Sequence, residues 1–121
     1  LIRIGPVKVV DDQRGRPTLA DDLARVTLDA IERGTTGVLH LANVGVTTWF
    51  GLAREIASIA GLDPERVSPC TTAEFPRPAP RPADSVLNSE RLDGLGIGPM
   101  PHNRPGLEAA VRALMDSEWI L

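Results

Sequence analysis

The stretch VVDDQRGRPT, residues 9 to 18, joins the end of a β-branched apolar run to the start of a helical pattern. Val7 to Val10 predicts a short strand, and the charged residues that follow, together with Gly15 and Pro17, predict a loop. Thr18 precedes apolar residues at helical spacing, so it is expected to cap a helix that ends at Gly34. Residues 7–34 are therefore predicted to form a strand, a loop and a helix.

The alternation of strands and helices continues toward the C-terminus. The further predicted elements are a buried strand in GVLHLAN (residues 37–43), a helix capped by Thr47 or Thr48 and ended by Gly61, a strand over residues 67–70, a capped turn at Thr71 and Glu74, a short helix over residues 89–95 and a last helix starting near Pro105. This order predicts the α/β class, with short strands and about three main helices. The length of 121 residues predicts a single domain over residues 1–121.

Composition and charge exclude several classes of function. The net charge of −3 and the pI of about 5.3 argue against nucleic acid or an anionic membrane as the main partner. No apolar run approaches the roughly 20 residues that cross a bilayer, and the N-terminus shows no secretory signal pattern, so a cytoplasmic location is expected. One cysteine and two histidines exclude an internal disulfide and argue against a structural metal site.

The segment EFPRPAPRPADSVL, residues 74 to 87, carries proline at every second position from Pro76 to Pro82. Alternating prolines hold a backbone extended without internal hydrogen bonds, which keeps Arg77 and Arg81 at a fixed spacing. A guanidinium binds a diphosphate with two parallel hydrogen bonds and stays charged at any working pH. The segment therefore predicts either one wall of a phosphate-binding site or a rigid surface loop whose arginines are solvated.

Several motifs, taken in order, resemble one family. They are VVDDQRGRPT (9–18), DLA (22–24), GVLHLAN (37–43), FGLAREIASIAG (50–61) and EFPRPAPRPADSVL (74–87). Together they resemble the small C-terminal domain of the dTDP-4-dehydrorhamnose reductases, which are extended short-chain dehydrogenase/reductases. The resemblance implies reduction of dTDP-4-keto-6-deoxy-L-mannose to dTDP-L-rhamnose with NADPH or NADH, in the pathway of dTDP-rhamnose biosynthesis.

The resemblance also implies that the cofactor and a Tyr-x-x-x-Lys pair belong to an N-terminal Rossmann domain. This sequence has no tyrosine and no glycine-rich turn between a strand and a helix. We therefore expect a substrate-binding portion without catalytic residues, which binds no cofactor alone and is not competent alone. Its expected partners are a dTDP-sugar and either the Rossmann domain or another copy of the chain. The alternative is a non-catalytic, reductase-like interaction or regulatory subunit.

The candidate site residues come from both loops. By resemblance, Arg81 reaches the substrate diphosphate, Ser85 is a neighbouring hydroxyl donor, and Trp49 lies near the sugar or base pocket. Gln13 and Arg16 are expected to direct polar groups at the nucleotide or sugar. Trp49 has an alternative role in packing a helix on the sheet.

Other notable residues receive structural interpretations. His40 is predicted to be a hydrogen-bonded core histidine, and Asn43 to bond either a neighbouring loop or a ligand. Asp11 and Asp12 are predicted to be solvated acids or partners of nearby arginines. Trp119 is predicted to be a packing anchor or an exposed tail residue.

Overall fold

A computed structural model describes residues 5–117, so the predicted roles of Trp119 lie outside the described residues. Strand β1 (Val7–Val10) pairs in parallel with β4 (Val67–Cys70), with Val7 opposite Val67 and Val10 opposite Cys70. A parallel pair needs a long crossover connection, and here residues 11–66 supply it. Both strands lie where the β-branched and apolar runs predicted them.

A second, shorter strand pair forms beside the first. Strand β2 (Arg14–Gly15) pairs antiparallel with β3 (Thr47–Thr48). A parallel bridge also joins Arg14 to Asp84 at the end of the proline segment. The loop within VVDDQRGRPT is therefore bonded to two distant parts of the chain.

The helices are α1 (Ala20–Glu32), α2 (Trp49–Ile59), α3 (Arg91–Gly94) and α4 (Asn103–Asp116). Short 3-10 turns cover Pro64–Arg66 and Thr72–Glu74. Helix α2 packs on β1, β4 and α4. Within residues 5–117, the mixed α/β class with three longer helices is thereby confirmed.

The core is small and rich in short side chains. The largest fully buried apolar side chain among residues 5–117 is that of Leu92 in α3. The other buried apolar residues are Ala30, Ala42, Ala57, Val67, Cys70, Met100 and Val111. These residues come from β4, from helices α1 to α4 and from the loops that precede β3 and α4.

The predicted cap of α1 is wrong. The residue at the cap position is Leu19, which makes no side-chain cap bond. The Thr18 hydroxyl instead donates to the Arg16 carbonyl oxygen at 3.1 Å and accepts from the backbone N–H of Asn43 at 3.1 Å. The end of the helix is as predicted, since Gly34 adopts a φ of 67° and donates to the Ile31 carbonyl oxygen.

The predicted strand in GVLHLAN is also wrong. Residues 37–43 pair with no strand in the described chain, and Val38 is 78% exposed. The guanidinium of Arg91 takes the place of a neighbouring strand, donating to the carbonyl oxygens of Thr36 and Val38 at 2.7 and 2.6 Å. His40 is therefore an exposed loop residue and not a core histidine.

Candidate functional site

The loop that follows β1 is fixed against the start of α2. Thr48 accepts a hydrogen bond from the Gly51 amide at 3.0 Å and so caps α2, as the sequence predicted. The same Thr48 hydroxyl donates to Asp11 Oδ1 at 2.6 Å. Because Trp49 is the next residue, this contact places its indole beside the loop that carries Gln13.

The proline segment is attached at its N-terminal end. Thr71 and Glu74 form the predicted capping box around the turn Thr72–Glu74. The Thr72 amide donates to both carboxylate oxygens of Asp12 at 3.0 and 2.9 Å. Gln13 Nε2 also donates to Thr72 Oγ1, at 3.0 Å. The beginning of the segment is thus held by the loop after β1.

The C-terminal end of the segment is attached to the same loop. The Arg14 amide donates to the Ala83 carbonyl oxygen at 2.8 Å, and the Ser85 amide donates to the Arg14 carbonyl oxygen at 3.0 Å. Arg14 also pairs with Asp84 at 3.3 Å, although both side chains are more than half exposed, so this ion pair contributes little stability. Residues 75–82 therefore span a gap between two fixed ends.

Two open grooves lie on either side of Arg81. The first, of about 490 Å³, lies between β1 and the proline segment, and the second, of about 370 Å³, lies beside β2 and β3. Gln13, Trp49 and Arg81 line both grooves, while Arg16 and Ser85 line the second. The structure therefore brings all the predicted site residues together around one two-part depression.

The grooves also include side chains that the sequence did not single out as site residues. Phe75 and Lys8 line the first groove, and Thr47 and Leu52 line the second. Phe75 directly follows the predicted capping box, and Thr47 directly precedes the cap of α2. Their positions beside predicted elements are the sequence feature that could have identified them. What the sequence lacked was the pairing that brings those elements together.

The charges of the two grooves favour an anionic ligand. Among residues 5–117, neither Arg16 nor Arg81 lies within 4.0 Å of a carboxylate. The Nε atom of Arg16 is buried and has no hydrogen-bond partner in the described chain. Arg77 differs, because its guanidinium lies 5.1 Å from the centre of the Phe75 ring. Arg16 and Arg81 thus bring positive charge to the grooves without a carboxylate partner among residues 5–117.

Two carboxylates near the proline segment have perturbed acidity. The backbone hydrogen bond from Thr72 lowers the pKa of Asp12 below its ordinary value, and the backbone hydrogen bond from Thr71 does the same for the pKa of Glu74. Both side chains accept hydrogen bonds as anions and neither lines a groove. Their role is therefore to hold the backbone. Residues 5–117 contain no cluster of three or more His, Cys, Asp or Glu side chains suited to a metal ion.

The remaining notable polar residues have structural roles. Asn43 has no exposed surface, and its side chain bonds the Leu19 amide, Asp22 and the Pro101 carbonyl oxygen, so it meets neighbouring loops. His102 caps α4, where its Nδ1 accepts from the Arg104 amide at 3.2 Å. No helix within the described range is long and apolar enough to span a membrane.

Comparison with known proteins identifies the family. The family described as the RmlD substrate binding domain matches residues 3–115. The dTDP-4-dehydrorhamnose reductase of Mycobacterium tuberculosis H37Rv is 46% identical over 117 residues, which cover 96% of this chain and 38% of the relative. A probable dTDP-4,6-dihydroxy-2-methyloxan-3-one 4-ketoreductase of Streptomyces antibioticus is 44% identical, over 96% of this chain and 40% of the relative.

A solved structure agrees with these relatives. The dTDP-4-dehydrorhamnose reductase of Bacillus anthracis strain Ames, in complex with NADP, superposes with a TM-score of 0.82 at 32% identity. The match covers 94% of this chain and 39% of that structure. This chain thus spans about two fifths of the length of the relatives it matches. The resemblance drawn from the sequence is confirmed, and the chain belongs to the family of RmlD substrate binding domains.

Proposed function

We propose that this chain is the substrate-binding part of a reductase that acts on dTDP-linked 4-keto-6-deoxy sugars, and that its substrate is dTDP-4-dehydrorhamnose. The observation that carries the proposal is the position of Arg81, which lines both grooves without a carboxylate partner among residues 5–117. A nucleotide-sugar has two bulky parts joined by a diphosphate. A cation at the junction of two grooves suits a ligand of that shape.

Each predicted site residue then has a distinct contact. Arg81 and Arg16 bind diphosphate oxygens, and the 55% exposed indole of Trp49 offers a flat apolar face to a ring. Ser85 Oγ already donates its proton to the Arg14 carbonyl oxygen at 3.0 Å. Ser85 therefore accepts a hydrogen bond from a ligand hydroxyl, which reverses the donor role expected from the sequence. Gln13 donates to Thr72, so its carbonyl oxygen is the group it offers to the ligand.

The redox chemistry is assigned to a part of the enzyme outside these residues. NADPH or NADH supplies the hydride when bound, but the described residues have no glycine-rich turn between a strand and a helix to hold it. Gly94, Gly96 and Gly98 lie at and after the end of the short helix α3. The chain contains no tyrosine to protonate the developing alkoxide. What these residues do is bind and orient the sugar nucleotide.

The alternative of a non-catalytic interaction subunit is not favoured. The relatives described above are named as reductases, and the identity of 46% extends over nearly the whole chain.

Calorimetry with dTDP tests the site. We expect Arg81→Ala to weaken dTDP binding about tenfold or more, because a hydrogen bond to a charged group contributes roughly 1.5–3 kcal/mol. Arg112→Ala is the matched control, since Arg112 is an exposed arginine of α4 that lines neither groove, and it should bind like the unchanged chain. Equal dTDP binding by the Arg81→Ala protein and the unchanged chain would contradict the assigned diphosphate site.

A chimera tests the activity. This chain would replace the matched 117-residue part of the M. tuberculosis reductase. We expect the chimera to reduce dTDP-4-dehydrorhamnose with NADPH, and to lose most of that activity with Arg81→Ala. A folded chimera that binds NADPH but turns over no substrate would show that these residues do not form the proposed substrate site.

A further inference from the structure

The carboxylate of Asp12 lies outside the grooves, yet it accepts several hydrogen bonds from the turn that begins the proline segment. Asp12 lines neither groove, and its side chain is exposed. Nevertheless its carboxylate accepts from the Thr72 amide at 3.0 and 2.9 Å and from the Thr72 hydroxyl at 2.7 Å. These bonds join residues that are 60 positions apart in the chain. An ordinary solvated acid would not receive this set of bonds.

The contact acts at the point where the proline segment begins. Thr72 opens the 3-10 turn Thr72–Glu74, and the Phe75 amide donates to the Thr72 carbonyl oxygen at 3.1 Å. From Pro76 onward the alternating prolines fix φ at every second residue and donate no backbone hydrogen bonds. A stiff segment of this kind passes a displacement of its first residues along to Arg81. The position of Thr72 therefore affects the position of Arg81.

The loop that carries Asp12 also carries one side of the site. Asp12 precedes Gln13, which lines both grooves, and Arg14 bonds the far end of the segment. The loop after β1 thus holds the proline segment at both ends while presenting Gln13 and Arg16 to the ligand. Such an arrangement sets the distance between the two walls of the site.

We propose that Asp12 is a positioning residue, which fixes the first turn of the proline segment through Thr72 and so holds Arg81 at the correct distance from Gln13 and Arg16. The proposal rests on the function proposed above for the identity of the ligand. Asp12 itself touches no part of the ligand. Its Oδ1 accepts from both donors of Thr72 and its Oδ2 accepts from the Thr72 amide as well. Asparagine in its place loses the negative charge and one acceptor oxygen, and its NH2 group is a donor that faces the donors of Thr72.

The test compares Asp12→Asn with Asp63→Asn. Asp63 is a matched control, because its carboxylate also accepts a backbone amide at a 3-10 turn, that of Glu65 at 3.0 Å, and it lines neither groove. Calorimetry is carried out with dTDP and with thymidine, which lacks the diphosphate. We expect Asp12→Asn to weaken dTDP binding about tenfold and thymidine binding less than about twofold, since misplacement of a binding group costs affinity only for the part it contacts.

A general loss of folding in the Asp12→Asn protein would change the two affinities in a different way. It would weaken dTDP and thymidine in the same proportion, and that result would overturn the proposal. Unchanged dTDP affinity in a folded Asp12→Asn protein would also overturn it. Asp63→Asn should leave both affinities as they are in the unchanged chain.

Nuclear magnetic resonance tests the tether without any ligand. We expect Asp12→Asn to increase proton exchange at the Thr72 amide and to raise the mobility of the Arg77, Ala79 and Arg81 amides, with no such change in Asp63→Asn. If the unchanged chain binds no dTDP, the proposed function fails, while increased mobility of these amides would still support the tether. Unchanged mobility of the segment in Asp12→Asn overturns the tether whatever dTDP does.

Discussion

The buried amide of Asn43 provides a quantitative test of how the fold is held together. Its Oδ1 accepts from the Leu19 amide at 2.9 Å, and its Nδ2 donates to Asp22 at 2.8 Å and to the Pro101 carbonyl oxygen at 2.9 Å. Asn43 is 0% exposed, so bulk solvent does not reach these bonding partners in the folded chain. Asn43→Ala thus leaves a backbone donor, a carboxylate and a carbonyl oxygen without one of their partners.

The free energy of unfolding that Asn43→Ala loses follows from the type of each hydrogen bond. Neutral hydrogen bonds contribute about 1 kcal/mol each and those to a charged group roughly 1.5–3 kcal/mol, so we expect a loss of about 3–5 kcal/mol in the free energy of unfolding. That is a large part of the roughly 5–15 kcal/mol typical of a domain. Urea unfolding followed by circular dichroism measures it, with Asn88→Ala as control, because the exposed Asn88 side chain accepts a single backbone hydrogen bond, from Glu90. A loss below about 1.5 kcal/mol with an unchanged urea slope would refute the reasoning.

Three further predictions concern acid, backbone strain and association. Because the folded pKa values of Asp12 and Glu74 lie below their ordinary values of 3.8 and 4.5, the stability they contribute is present above those values and is lost as the pH falls through the lower folded values. As the pH is lowered from about 6 to about 3, the free energy of unfolding should therefore fall less for the double variant Asp12→Asn, Glu74→Gln than for the unchanged chain, as measured by urea titrations. Gly45→Ala should cost about 1–3 kcal/mol in thermal or urea unfolding, because Gly45 has a φ of 113° and an added Cβ would lie 2.8 Å from the amide side chain that begins α4. Gly94→Ala, which meets no atom within 4 Å, should cost far less. Leu28 and Ile31 are 60% and 67% exposed one turn apart on α1, so sedimentation should show self-association of the chain that Ile31→Lys reduces, and a strict monomer at every concentration would contradict this.

Local chemistry explains which elements could be predicted. The run Val7–Val10 and the apolar residues of β4 favour strands, and Thr48 caps α2 through a bond to an amide only three residues away. The capping box of Thr71 and Glu74 is equally local. In each case the residues that determine the structure lie within one turn or one strand, so the sequence pattern contains the whole interaction.

The strand predicted in GVLHLAN fails for the opposite reason. An apolar run indicates that a segment tends to be buried, but a strand also needs a neighbouring edge, which the run does not specify. In the described chain the Arg91 guanidinium, more than 50 residues away, bonds the carbonyl oxygens of Thr36 and Val38. Helix α1 shows the same limit. The spacing of its apolar residues predicts the helix correctly, but the residues that are buried in the structure are Asp22 and Ala30.

The candidate site shows what residue type indicates and what only the fold provides. Arginines between prolines predict either an anion-binding wall or a rigid loop with solvated arginines, because residue type and spacing carry that much information and no more. Asp12 was predicted to be a solvated acid, and its exposure fits that description, yet its carboxylate is the tether of Thr72. No residue near Asp12 in the sequence indicates that its partner, Thr72, lies 60 positions away. Only the parallel pairing of β1 with β4 brings the two together, since each lies just beyond the end of its strand. The register of that pairing therefore fixes the position of the proline segment, and with it the width of the groove in front of Arg81.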